Sequence, residues 1–411
     1  MLLSGVEKIA VLRAGGIGDL IFALPALEAL RAAYPAAEVT LLGTRHHVAL
    51  MDGRASPVDR VLAIPPSEGI NMRDGEPGDP RAVEDFLAAM RAEHFDLALQ
   101  LHGGGQHSNP FVLALGARVT AGLRAHDAPA LDRSMSYDYW QPEVARLIEA
   151  VSLVGADPVT ITPRLAPTTR DLEESLAVVP GTDRPLVLVN AGATDGRRRW
   201  PLESFAATAD AIADDFGVSI LLNGSAAEHD GNRALASLMR HPSTDLSGRL
   251  SLGGLLGLAS RSALVISNDT GPLHLAAAAG APTVGIYWCG NMLSGGAALT
   301  RTHHRPCISW RLTCPLCGTP CLTSRCDHDA SFVADVKIEE VVGAGRALIL
   351  RDSREQKAES RNCEGSGGRA GSRKGSGGRV QGSETASPNS HPRAGGDPGY
   401  SAEHGSPLSR G

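Results

Sequence analysis

Ser262-Ala263-Leu264-Val265-Ile266-Ser267-Asn268-Asp269-Thr270-Gly271-Pro272-Leu273-His274-Leu275-Ala276-Ala277-Ala278-Ala279-Gly280-Ala281-Pro282-Thr283-Val284-Gly285-Ile286-Tyr287 reads as strand, tight turn, small-residue helix and second strand. Ala263–Ile266 is a short apolar run bounded by polar turn formers, the pattern of a buried parallel strand. Asn268, Asp269, Thr270 and Gly271 break it. Pro272 suits the first helical position, where its missing N–H costs nothing, and Leu273–Ala279 continues with strong helix formers until Gly280 and Pro282. A glycine turn entering a helix offers unpaired N–H groups and the positive end of the helix dipole, a seat for a phosphate or diphosphate. Thr270 adds a hydroxyl and His274 a ring N–H. Asp269 would repel a phosphate at close range, so it is expected to face sugar hydroxyls, for which a carboxylate is a two-oxygen acceptor. The plainer alternative is that Asp269 and Thr270 cap the helix and His274 is an ordinary histidine.

The chain opens in the same order. Glu7–Arg13 is an apolar strand, Ala14-Gly15-Gly16-Ile17-Gly18-Asp19 a glycine turn, and an amphipathic helix follows from about Leu20 to Ala33. Glu38–Gly43 completes a βαβ unit of a parallel sheet. A dinucleotide fingerprint is the rival, but the glycine spacing differs and the second strand ends in Gly43-Thr44-Arg45 without the acid that motif needs. Further units follow: a strand at Arg60–Ile64, an exposed loop over Ile70–Pro80, a helix over Arg81–Glu93 and a strand at Phe95–Leu101. His102 and His107 then stand at the carboxyl end of a strand, where open α/β sheets bind ligands, and are candidates to touch an acceptor. Tyr137, Tyr139 and Trp140 precede a helix over Pro142–Val154 and either pack on a sugar face or dock that helix. The repeated prolines of Ala156–Thr182 read as an interdomain connection.

The second half begins with a strand at Pro185–Asn190, the turn Ala191-Gly192-Ala193-Thr194 and the run Asp195-Gly196-Arg197-Arg198-Arg199-Trp200-Pro201. Guanidinium groups pair with phosphate oxygens in a bidentate way, so the turn suits a diphosphate; a solvated face is the alternative. Val218–Asn223 is the next strand. Gly224-Ser225-Ala226-Ala227-Glu228 follows, and an acid so placed also favours a helix start. A helix over Leu252–Ser260 leads back to the opening stretch.

Ser267–Ala278 resembles the signature of glycosyltransferase family 9, the bacterial heptosyltransferases of lipopolysaccharide core assembly, where it holds the sugar-nucleotide donor. Ala14–Leu20 with Leu24-Pro25-Ala26-Leu27 resembles that family's N-terminal motif, Ala191–Pro201 its Gly-Ala…Lys-Arg-Trp-Pro segment, Gly224–Glu228 its Gly-x-x-x-Glu turn, and Ser331–Leu350 its closing helix. Arg198 stands where a lysine is usual, which keeps the charge and changes its shape. The resemblance spans residues 7–350 and implies an α/β protein of the GT-B fold: two doubly wound Rossmann-like domains facing a cleft. An acceptor-side domain over 1–165, a nucleotide-sugar domain over 166–351 and a disordered tail over 352–411 are expected. It implies Asp19 as the base that deprotonates an acceptor hydroxyl, Arg198 as leaving-group stabiliser, and Gly18, Thr194, Glu228, Asn268, Asp269, Thr270, Gly271, Leu273 and His274 as donor contacts. The reaction implied is inverting transfer of a heptose from an ADP-sugar to a lipid-linked glycan, with no metal required for catalysis. Transfer to a protein acceptor, an epimerase of the same fold, and a donor-binding protein without transferase activity are the alternatives.

Totals bound the rest. A length of 411 residues accommodates two domains, and a formal charge of −6 gives no nucleic-acid footprint. No apolar run approaches the roughly 20 residues of a membrane span. The N-terminus lacks the pattern of an export signal, so a cytoplasmic protein is expected, peripheral at the inner membrane where a lipid-linked acceptor would be met. Six of the seven cysteines fall between Cys289 and Cys326, with Cys363 in the tail. In a reducing compartment disulfides are not the default, and Cys314, Cys317, Cys321 and Cys326 are candidate ligands of a structural zinc or iron, with Cys307 and His328 nearby. Beyond Arg351 the chain is rich in Gly, Ser, Arg and Pro and has too few large apolar residues to fold alone.

Overall fold

The computed structural model of the chain describes residues 1–72, 77–295 and 302–351. The tail 352–411 lies outside them. Twelve strands are described: β1 Lys8–Leu12, β2 Glu38–Gly43, β3 Arg60–Ala63, β4 Leu97–Gln100, β5 Val119–Arg124, β6 Arg133–Ser136, β7 Leu186–Asn190, β8 Ser219–Leu222, β9 Ser243–Asp245, β10 Leu264–Asn268, β11 Thr283–Trp288 and β12 His304–Ser309. They form two sheets, β3-β2-β1-β4-β5-β6 and β12-β11-β10-β7-β8-β9, parallel throughout. Counted from its own first strand, each sheet has the order 3-2-1-4-5-6 of a dinucleotide-type fold. The central strands are apolar and buried on both faces, as parallel strands covered by helices must be: Ile9–Leu12, Leu186–Asn190 and Leu264–Asn268 are buried throughout.

This topology fixes where a site can form. In each sheet the winding reverses between the first and fourth strands, β1 and β4 in one, β7 and β10 in the other. Loops leaving the carboxyl ends of such a pair diverge to opposite faces and open a crevice. The turns after β1 and β10 are the two glycine turns singled out from the sequence. Helix Ile17–Ala33 follows the first and helix Gly271–Ala278 the second, and the two helices pack against each other. A continuous apolar cluster runs from Ile9, Leu27 and Leu147 of one half through Leu275 and Ala276 to Leu256 and Leu188 of the other.

Three expectations shift. The first helix begins at Ile17, a turn earlier than its apolar pattern suggests, because Asp19 folds back and its Oδ2 accepts the N–H of Gly16 at 2.7 Å. Pro272 is the second residue of its helix, not the first. The stretch expected to be only a connection contains helix Thr169–Val178: Thr168 Oγ1 accepts from Asp171 N at 3.2 Å, Asp171 Oδ2 accepts from Thr168 N at 2.7 Å, and this capping box starts the helix despite the nearby prolines. Arg54 of the first half reaches that helix, donating to Asp171 Oδ2 at 2.7 Å. The closing helix covers 338–351, with Val341, Val342, Leu348 and Ile349 in the second half's core.

Candidate functional site

Around β1 and β4 the site is built on one buried cation. Arg13 ends β1 just past its last apolar residue and is 2 % exposed. Its Nη2 lies 2.7 Å from Asp19 Oδ1 and 2.7 Å from Glu143 Oε1, and its Nη1 donates to Leu101 O at 2.7 Å. Arg146 pairs with the other oxygen of Glu143 and stacks over Tyr137 at 4.6 Å. Asp19 itself retains 45 % of its side-chain surface toward the cleft, so it is held from behind and open in front. Gly15 is glycine for a steric reason, since a Cβ there would stand 2.3 Å from Asp19 Oδ2. Removal from solvent pushes the Asp19 carboxyl up, and the combined effect of Arg13, His102, the Gly16 N–H and His47 brings it below the ordinary range. Asp19 is therefore a carboxylate at neutral pH.

His102 lies in this cluster, its Nδ1 accepting from Ala14 N at 3.4 Å. Burial, then the neighbouring Arg13 charge, pushes its pKa down to about 4, so the ring is neutral. His47, which the sequence reading passed over, bonds Gly16 O through Nε2 at 3.1 Å and braces the same turn. His107 is exposed, and its ring packs where a Cβ on Gly69 would lie 2.2 Å from Cγ, next to Ile70, whose backbone bonds His102. The two histidines differ in burial, His102 being the more enclosed.

At β7 and β10 an asparagine network shapes the turn. Asn190 Nδ2 donates to Thr270 Oγ1 and Ser267 Oγ, both at 3.2 Å, and its Oδ1 accepts from Asn223 at 2.9 Å. Asn268 is fully buried, accepting from Trp200 N at 3.1 Å and donating to Ala191 O at 2.8 Å. It ties the turn to the arginine run, a bracing role where a donor contact was expected. Leu273 is likewise buried, and its N–H is donated to Thr270 O at 3.1 Å. Asp269 also departs from expectation: it is 6 % exposed, its Oδ1 lies 3.0 Å from His274 Nε2, and its Oδ2 accepts from Asn291 at 3.0 Å. Both oxygens are engaged within the protein, one orienting His274 and the other held by Asn291. Burial raises its pKa, but His274, Arg198 and Asn291 together hold it below the usual carboxylate range.

The three arginines have three different partners. Arg197 pairs with Asp195, its Nε 2.8 Å from Oδ1, and Arg199 donates to Ala193 O at 2.9 Å. Arg198 turns toward the opposite loop, donating to Asp269 O at 3.4 Å. Thr194 is exposed on the same loop. Glu228 accepts from Ser225 N at 2.7 Å and Ser225 Oγ at 2.8 Å, so it does stabilise a helix start. Its Oε1 also reaches the glycine loop after β7, occupying the space beside Gly192, where a Cβ would stand 1.6 Å away.

The two glycine turns meet. A Cβ on Gly18 would lie 2.9 Å from His274 Cδ2, and one on Gly271 would lie 3.4 Å from Ile17 Cβ. His274 stacks edge-on against Phe22 of the first helix with ring centroids 4.6 Å apart. Asp19 and the Thr270–His274 turn therefore stand on opposing walls of one cleft, a carboxylate on one side and amide, hydroxyl, imidazole and guanidinium donors on the other. The combination suits removal of a proton on one side and stabilisation of anionic charge on the other.

The cysteine loop has a different membership from the one expected. Cys314, Cys317, Cys326 and His328 bring their Sγ and ring nitrogen atoms within 4.8 Å of one another. Cys321 is not among them; it is buried, and its Sγ donates to Thr319 O at 3.2 Å. The thiol of Cys317 is pushed down to about 6, chiefly by hydrogen bonds from the Thr319 side chain and N–H.

The sequence model of "Glycosyltransferase family 9 (heptosyltransferase)" matches residues 83–304. The chain is 26% identical over 301 residues to lipopolysaccharide heptosyltransferase 2 of Salmonella typhimurium, 68% of this chain and 82% of that one. It is 21% identical over 293 residues to a lipopolysaccharide core heptosyltransferase of Haemophilus influenzae, 68% of this chain and 79% of that one. Among solved structures it is similar to a glycosyl transferase family 9 protein of Veillonella parvula, with TM-score 0.70, 19% identity and coverage of 85% and 100% of the two chains. It is also similar to the ADP-heptose heptosyltransferase II of E. coli, with TM-score 0.66, 18% identity and coverage of 84% and 99%. These structures establish the two-domain GT-B architecture, and with the sequence match over more than half its length the chain belongs to glycosyltransferase family 9.

Proposed function

We propose that the chain transfers a heptose from an ADP-heptose donor to a hydroxyl of a lipopolysaccharide-core glycan with inversion at the anomeric carbon. The observation that carries this reading is the opposition of Asp19 to the Thr270–His274 turn across a cleft narrow enough for Gly18 to touch His274. In the proposed step Asp19 takes the proton of the acceptor hydroxyl, the oxygen attacks the anomeric carbon from the face opposite the diphosphate, and ADP departs. One C–O bond forms as another breaks, and the proton ends on the Asp19 carboxylate, from which solvent removes it. The negative charge gathering on the departing diphosphate meets the Gly271 N–H at the start of helix Gly271–Ala278, the Thr270 hydroxyl, Arg198 and the His274 ring. Asp269, 3.0 Å from Nε2, fixes the orientation of the His274 ring. These groups supply charge stabilisation without a divalent ion. A lipid-linked acceptor would be met at the cytoplasmic face of the inner membrane, where the proposed association is peripheral; no described helix is long and apolar enough to cross a membrane.

The heptosyltransferase names of the relatives support the sugar, and the core-glycan names support the acceptor over a protein. The decisive experiment incubates the purified protein with ADP-heptose and a core acceptor, with and without EDTA, and follows product by mass spectrometry. Transfer with chelator present supports the reading. A changed donor sugar without acceptor indicates an epimerase, and no turnover of ADP-heptose with any core acceptor sinks the proposal.

A further inference from the structure

Residues 310–333 form a long segment with little of the regular structure that orders a loop. Among the described residues their one bridge is Thr313 with Pro320, closed by Cys314 N to Thr319 O at 2.9 Å and Cys321 N to Leu312 O at 2.8 Å. Inside this small hairpin Cys314-Pro315-Leu316-Cys317-Gly318 makes a tight turn, with Gly318 N donating to Cys314 O at 3.0 Å and Gly318 at φ +72°. A side chain at that φ would be strained, so the glycine allows the two cysteines of the Cys-x2-Cys pair to point the same way. The chain then returns to bring Cys326 and His328 onto them, with Cys314 Sγ 3.8 Å from His328 Nδ1. Thiolates bound at about 2.3 Å and an imidazole at about 2.0 Å around a tetrahedral ion lie roughly 3.5–3.8 Å from one another, so the cluster needs little adjustment to close.

We infer that Cys314, Cys317, Cys326 and His328 bind one structural zinc ion, which staples this loop and through it holds the arginine turn at Gly196–Arg198 in place. Three thiolates and one imidazole with no open position match a closed structural zinc site, and the ion's lack of redox chemistry suits a purely mechanical part. The mechanical link is explicit. Asp329, next to the ligand His328, fills the space beside Gly196, where a Cβ would meet Asp329 Oδ1 at 2.3 Å. Ser331 Oγ donates to Arg199 O at 2.6 Å and Phe332 N to Arg197 O at 2.7 Å, and the Arg197 guanidinium stacks on Phe332 at 5.7 Å. Arg198 hangs between these anchored neighbours. Cys321 stays outside the site as a buried thiol packed in the second half's core.

The test uses full-length protein purified without chelator and measures metals by mass spectrometry, independent of any transferase assay. About one equivalent of zinc per chain is expected. Cys317→Ser and Cys326→Ser should each lower it at least about tenfold, Cys321→Ser should leave it unchanged, and His328→Cys should retain it. Cobalt exchanged into the site should show the intense absorption of tetrahedral thiolate coordination, and stripping the metal should speed tryptic cleavage at Arg311 and Arg325 about tenfold. Asp19→Asn should keep its zinc, so failure of the proposed reaction would not be confused with failure here. Less than about a tenth of an equivalent of zinc, iron in its place, a disulfide among these cysteines, or a loss in Cys321→Ser equal to that in Cys317→Ser overturns the inference.

Discussion

Gly18→Ala probes the contact on which the cleft depends. Gly18 is the second residue of helix Ile17–Ala33, where alanine is favoured over glycine by about 0.5–1 kcal/mol. Against that gain, the new methyl would sit 2.9 Å from His274 Cδ2, short of the 3.4 Å at which ordinary contact begins. The ring cannot tilt away freely, because Nε2 is held 3.0 Å from Asp269 and its edge is packed on Phe22. Overpacking of this kind costs about 1–3 kcal/mol, so the strain is relieved by parting the two walls or by pulling His274 off Asp269. The helix gain offsets only part of that cost, so a net loss of about 0–2.5 kcal/mol should show as a modest fall in melting temperature. ADP affinity, which needs both walls, should fall about 5- to 150-fold. Calorimetric titration of ADP beside thermal unfolding of the same samples separates the two. In a His274→Ala background the clash partner is gone, so the added effect of Gly18→Ala should shrink to less than about twofold. Wild-type affinity in Gly18→Ala, or equal losses with and without the His274 ring, would refute the reasoning.

Other outcomes follow from the same geometry. Asp19→Asn should lower kcat by about 10²–10⁴ while ADP binds normally in calorimetry, since the variant removes the proposed base and leaves the proposed diphosphate seat. Arg13→Met removes the chief charge holding Asp19 down, so the acidic limb of the kcat/KM profile should move to higher pH; an unmoved limb would assign that limb to another group. Arg198→Ala should cost about 10²–10³ in kcat, with Arg198→Lys recovering most of it, as read in the transfer assay. Asp269 has a depressed folded pKa, so its contribution to stability is complete above the unfolded carboxylate range and is lost as pH falls through the folded value. Thermal melts should therefore show a steeper acid destabilisation in the wild type than in Asp269→Asn.

The alternation of apolar runs with glycine turns made both sheets legible, because parallel strands buried on both faces leave an unbroken hydrophobic signature and their helices begin at the glycines. Asp19, Thr270, Gly271 and His274 were legible as neighbours of those turns. The partners were not. Arg13, Glu143 and Arg146 converge from a strand end and a distant helix, and nothing in their local sequence announces that meeting. Arg13 did leave one trace, a charge closing an otherwise apolar strand. The position of Asp269 beside Thr270 says nothing of Asn291, which donates to its second oxygen from another helix. In the cysteine loop, four thiols in a row suggested four ligands, while the hairpin sends Cys321 into the core and leaves the fourth place to His328.

Gly271 stands against Ile17 and Gly18, so the first turns of two helices are pressed nose to nose. The second helix brings about half a positive charge to that meeting, and the Asp19 carboxylate, folded over the start of the first, more than cancels the charge there, so the two ends meet without opposing each other. Bulk, then, and not charge sets how closely these halves sit: a methyl at position 18 is the smallest wedge that would part them.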